Sequence, residues 1–118
     1  MSTTSSSLQD LVDELVAAAT NYGKCIEAGN SRMSDKYLSR GEKTLKKIKS
    51  FGDSGVRTVA LLLAHREEGV RLLAATDLLD RPEFKSHLIL EAMVKSKSIL
   101  GLSAELILGA WRRGEPKH

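Results

Sequence analysis

The chain has few of the residues that a sheet protein or a secreted protein relies on. Of its 118 residues, five are aromatic and two are proline, whereas Leu, Ala, Glu and Lys are abundant, a balance that favours helices over strands. The single cysteine, Cys25, has no partner for an internal disulfide. Its longest apolar run, Val59 to Ala64, is far short of the roughly 18 residues that cross a bilayer. Residues 1–7 lack the basic and apolar regions of a secretory leader. The expectation is a soluble, cytoplasmic protein that does not enter the membrane.

The patterns that chemistry requires are also missing. No Gly-x-Gly-x-x-Gly or Gly-Lys-Ser/Thr sequence is present to cradle a phosphate. His65, His87 and His118 are widely separated. His65 with Glu68 forms one i, i+3 pair of the di-iron type, but the second pair such a site needs is absent, so His65 reads as a turn or surface residue. Cys25 sits at the edge of an apolar stripe and reads as a small buried hydrophobe. The acidic group Asp10, Asp13 and Glu14 is explained by the positive end of a helix dipole. Trp111, on the same side as Ile107 and Leu108, reads as the C-terminal end of a core. Catalytic, metal-binding and cofactor residues are therefore expected to number none.

What remains is a series of apolar segments at helical spacing. Residues 1–7, almost all Ser and Thr, read as a disordered leader, followed by a single domain over 8–116. Ser7 caps a first helix carrying Leu8, Leu11, Val12, Leu15, Ala19, Tyr22 and Ile26 on one face, which ends near Gly29-Asn30. Ser31 caps a second helix that runs to Phe51-Gly52. Asp53 or Ser54 caps a third, whose Val56, Val59, Ala60, Leu62 and Leu63 predict burial on more than one side and a central place. After a break at His65 to Gly69, a fourth helix carries Val70, Leu72, Leu73, Ala75, Leu78 and Leu79. Pro82 and Glu83 open a fifth, with Phe84, Leu88, Ile89, Met93 and Val94. A polar linker, Lys95 to Ser98, leads to a sixth, Ile99 to Arg113, closed by Gly114-Glu115-Pro116. Six helices on short turns predict an all-α fold of three antiparallel hairpins. Ala74-Ala-Thr-Asp-Leu-Leu79 and Ser103-Ala-Glu-Leu-Ile-Leu108 add a faint repeat at a spacing of 29 residues.

The segment Leu61-Leu-Leu-Ala-His-Arg-Glu-Glu-Gly-Val-Arg-Leu-Leu-Ala-Ala75 resembles the HEAT signature, an apolar helix and a polar turn followed by Val-Arg-x-x-Ala-Ala. Over Leu8 to Pro116 the chain is similar to a group of small bacterial HEAT-like, armadillo-type proteins of unknown function, which also open on a Leu-Val-x-x-(Leu/Phe)-Val helix, here Leu11 to Val16. The resemblance implies a right-handed α-α superhelical stack with the second helix of each hairpin on its concave side. It also implies that Arg71 joins a polar ladder between hairpins.

One surface is sharply patterned. Between Arg32 and Lys49 lie seven basic and two acidic residues, +5, so the rest of a chain of net charge +3 sums to −2. Arg32, Lys36, Arg40, Lys43 and Lys47 are spaced by 4, 4, 3 and 4, which on a helix confines them to a sector of roughly 80°. Lys46 lies beside this row, Asp35 and Glu42 lie on a flank, and nothing acidic is expected to interrupt it. Like charges at i, i+4 oppose helix formation by a few tenths of a kcal/mol per pair. A solvated face accounts for the pattern, and so does a binding surface. As a binding surface, these six cations predict a non-enzymatic module that holds an acidic protein, with an immunity or antidote protein as a special case. The alternative is a nucleic-acid-binding helical-repeat protein that uses the same stripe.

Overall fold

The computed structural model describes residues 7–115. The predicted leader therefore lies outside the described residues except for Ser7, as do Pro116 and His118. Among the described residues there are six α-helices and no strand: α1 Leu8–Glu27, α2 Ser31–Lys49, α3 Asp53–Leu61, α4 Glu68–Asp77, α5 Ser86–Ser96 and α6 Ile99–Arg112. The all-helical expectation is met.

Local chemistry explains where each helix begins and ends. The Ser7 hydroxyl accepts from the Asp10 amide at 3.1 Å, and Asp10 stands in the first turn of α1, where the dipole favours it. At the α1–α2 turn Gly29 adopts a φ of 74°, and the cap of α2 is Asn30 rather than the predicted Ser31, its side chain accepting from the Met33 amide at 3.2 Å. Gly52, with a φ of 77°, precedes α3, and its carbonyl accepts from the Val56 amide. The cap is thus Gly52, one residue before the first predicted candidate, and Asp53 opens the helix without capping it. α3 continues into a 3-10 turn, Leu62–Ala64.

Later boundaries shift for similar reasons. Pro82–Phe84 forms a 3-10 turn of its own, and Lys85 takes a left-handed conformation that separates it from α5. Phe84 is consequently outside the helix, although it still packs against the core. α5 extends to Ser96, so the predicted linker shrinks to Lys97, also left-handed, and Ser98, whose hydroxyl accepts from the Gly101 amide at 3.1 Å and caps α6.

The centre of the molecule is α4, not α3. Val70, Leu72, Leu73, Ala74 and Ala75 are all buried, and α4 packs against α1, α5 and α6. By contrast α3 buries one side, through Val56, Val59 and the following Leu62, leans mainly on α2, and leaves Leu61 77% exposed. Both helices use a glycine for close contact: at Gly55 the backbone of α3 approaches α2 so closely that a Cβ would collide with the Ile48 carbonyl. At Gly69 the backbone of α4 approaches α1 so closely that a Cβ there would collide with the Ala19 carbonyl, and a Cβ on Gly23 would lie 3.4 Å from the Gly69 Cα. The difference is that α4 has such contact with α1 while also packing on α5 and α6, whereas α3 leans mainly on α2.

α1 and α2 pack along their lengths, as do α5 and α6. The second pair is antiparallel, with Arg112 bonded to Glu91 at 2.6 Å and the Trp111 ring stacked on His87. The faint repeat has a counterpart in burial, since Ala75 and Ala104 are both fully enclosed and Leu79 and Leu108 both lie in the core. Arg71 donates to the His65 carbonyl at 2.8 Å and to the Arg66 carbonyl at 2.9 Å. Its bonds thus close the turn that leads into its own helix.

Candidate basic groove on α2

The buried side of α2 consists of Ser34, Gly41, Thr44, Leu45 and Ile48, so the positions on the opposite side must face solvent. There the cationic row stands as the spacing predicts, with Arg32, Lys36, Arg40, Lys43 and Lys47 all exposed. All five line one open groove of about 850 Å³, together with Met33, Asp35, Ser39, Thr44 and, from α1, Glu14. Lys46 is exposed beside the groove but does not line it. No residue of α4 or α6 lines it.

Two carboxylates share the groove with the row, Asp35 and Glu14. Asp35 belongs to the predicted flank, whereas Glu14 arrives from another helix and could not be found by stepping along α2. Its Oε2 lies 3.3 Å from the Thr44 hydroxyl, which also donates to the Arg40 carbonyl at 2.9 Å. A signal for it did exist. Positions 14 and 44 are equidistant from Gly29, so a hairpin folded at that glycine brings them opposite each other.

Among the described residues, none of the five cations is ion-paired; the ion pairs there are Lys49 with Asp77 at 2.7 Å, Arg112 with Glu91 and Arg113 with Glu115. Arg40 places its guanidinium 5.7 Å from the centre of the Tyr37 ring, a cation–π contact that limits its freedom. Successive cations rise about 4.5–6 Å along the helix, well inside a Debye length of roughly 8–10 Å, so an incoming anion meets them as one charged strip.

The remaining candidates occupy structural positions. The Glu67 amide donates to His65 Nδ1 at 3.0 Å, which makes His65 a turn residue. Glu68, its i, i+3 neighbour, accepts from the Ser98 hydroxyl at 2.6 Å. No group of three His, Cys, Asp or Glu that could hold a metal is found among the described residues. Cys25 is half-buried. Trp111 does not close the core: it lies one turn beyond Leu108, the last buried residue of α6, and is 37% exposed, with its ring centroid 5.5 Å from that of His87. A crevice of about 120 Å³ between α4 and α5 is lined by Glu68 and Arg71, whose polar groups are engaged as described. On α6, Ile99, Leu102 and Leu106 form an exposed apolar row. No described helix is long and apolar enough to cross a membrane. No family model matches this sequence, and no curated protein or solved structure matches it either.

Proposed function

We propose that this chain is a non-enzymatic, cytoplasmic protein-interaction module of HEAT-like type, whose α2 groove holds an acidic segment of another protein. The observation that carries this reading is the row of five exposed cations, none of them ion-paired among the described residues, lining a single groove. Self-repulsion along such a row opposes folding slightly, and an acidic partner offsets it. The pairing of α1 with α2 and of α5 with α6 is compatible with two of three HEAT-like hairpins, and α3 with α4, which touch less, would be the third. An immunity or antidote protein, which binds and silences a partner, is one biological form of the same activity. The basic groove suits an acidic partner better than a nucleic-acid-degrading toxin, whose binding surface is itself cationic.

Nucleic acid is the second reading; no aromatic ring lines the groove for the base stacking that single strands use. The test is the triple reversal of Arg40, Lys43 and Lys47 to Glu, which moves the net charge from +3 to −3. Partners are recovered from the native host at two salt concentrations, with and without nuclease. The proposal expects a protein partner that survives nuclease and is lost with the variant. A partner that vanishes with nuclease, with a log affinity against log salt slope near −4.5 for about five phosphates, makes this a nucleic-acid-binding protein. Retention of every partner by the variant means that the row is only a solvated face.

A further inference from the structure

We infer that the segment held in the α2 groove is an α-helix with a row of carboxylates of its own, laid antiparallel along α2; this rests on the acidic-partner reading above. The first argument is register. Along α2 the cations Arg32, Lys36, Arg40, Lys43 and Lys47 stand at rises of about 0, 6, 12, 16.5 and 22.5 Å. A second helix reproduces those intervals, with carboxylates at positions p, p+4, p+7, p+11 and p+15 read in the opposite direction. An extended chain presents one face every 6.6–6.8 Å or so. Its fourth carboxylate falls about 20 Å along, between Lys43 and Lys47, so it matches three cations and then drifts out of step.

The second argument is the fate of the partner's backbone. Extended peptides gain backbone hydrogen bonds by adding a strand to a sheet edge, proline-rich ones dock in aromatic grooves, and acidic motifs are held by clusters of cations through their side chains alone. Among the described residues there is no strand, and the groove has no aromatic in its lining. A bound strand would find side-chain cations for its carboxylates but no backbone ladder for its amides. A helix satisfies its own backbone and needs only the side-chain contacts that are present. Antiparallel placement also sets the positive end of the partner helix beside the C-terminal carbonyls of α2. The required helix is at least 16 residues long, spanning p to p+15, and Met33 offers it one apolar contact.

The test uses the full chain and three synthetic 18-residue peptides of equal net charge. The first places Glu at p, p+4, p+7, p+11 and p+15 in an Ala-rich helical background. The second has the same composition with its Glu residues distributed around the helix. The third carries the alternating pattern of a strand. Titration at low salt should show the first binding at least tenfold tighter than either of the others, with amide shifts confined to α2 and the Glu14 region. Equal affinity for all three overturns the helical inference and leaves the acidic-partner reading standing. Tighter binding of the alternating peptide also overturns it, in favour of an extended partner. Absence of binding by all three overturns both.

Discussion

The Glu14 carboxylate lies 3.3 Å from the Thr44 hydroxyl, so an anion from α1 stands at the rim of the cationic row of α2. This single contact between the helices of the first hairpin lowers the positive potential that an incoming acidic group meets. It also joins the two walls of the groove. The carboxylate is exposed, so the contact adds little to stability, and its main effect is on binding.

Replacing Glu14 by Gln removes the charge while keeping an oxygen that can accept from Thr44. Affinity for an acidic peptide should rise about two- to fivefold at low salt, and the gain should fade as salt approaches a molar. The midpoint of thermal unfolding should stay within about 2 °C. Fluorescence anisotropy with a labelled acidic peptide measures the first effect and calorimetry the second. Unchanged affinity at low salt would place Glu14 outside the binding surface.

The contact of α1 with α4 depends on the absence of a side chain at Gly69. Ala at this position drives a methyl group into the Ala19 carbonyl, and because backbone must move, the cost should reach about 2 kcal/mol or more in urea unfolding. Gly109→Ala is the control, since a Cβ there meets only the flexible end of the Arg113 side chain at 3.3 Å. It should be neutral or slightly stabilising.

Burial separates leucines that look alike in sequence. Leu73, 6% exposed in the centre of α4, should cost about 2–5 kcal/mol on truncation to Ala. Leu106, 75% exposed on α6, should cost under about 0.5 kcal/mol. Leu63, which its segment predicts to be buried, is only half-buried and should fall between them. Chemical denaturation of the three variants checks the order, and a Leu106→Ala cost equal to that of Leu73→Ala would show that the outer face of α6 is covered in solution.

Tyr22 provides the pH dependence. Burial is the main factor that pushes its phenol above the usual value near 10, opposed by the hydrogen bond with Ser103 and reinforced by the charges of Asp35 and Glu42. The folded state thus holds the phenolic proton more tightly than the unfolded state. Its contribution is fully present below pH 10 or so and is lost as pH rises through the folded-state value. Urea midpoints measured from neutral pH to pH 11 should fall in the alkaline limb, and Tyr22→Phe should flatten that fall even if it is less stable at neutral pH. An unchanged alkaline slope in Tyr22→Phe would assign the effect to another group.

Much of the fold is legible because helical periodicity is a local signal. The apolar stripe of α1, the Ser7 cap and the Gly29 turn need nothing beyond neighbours a few residues away. The rank of α3 against α4 is not legible, since both are short and apolar and which lies inside depends on how many other helices pack around each. The shift from Ser31 to Asn30 reflects competition between adjacent polar residues that cap almost equally well. For the groove, the row on α2 follows from spacing alone. Glu14 does not, because its place depends on how two helices align across a turn. Trp111 misleads for a related reason: its angle around α6 points toward the core, but the core ends one turn before it.

The position of Trp111 has a consequence for optical measurements on this protein. As the one tryptophan in the chain, stacked on His87 where α5 meets the end of α6, it makes ultraviolet-excited emission a reporter of the C-terminal hairpin. Ligands entering between α1 and α2 will leave that signal almost unmoved, so a flat emission titration carries no information about occupancy. A dye attached at Ser39, which lines the groove and is exposed, would supply the missing channel, and the two colours together would separate binding from unfolding.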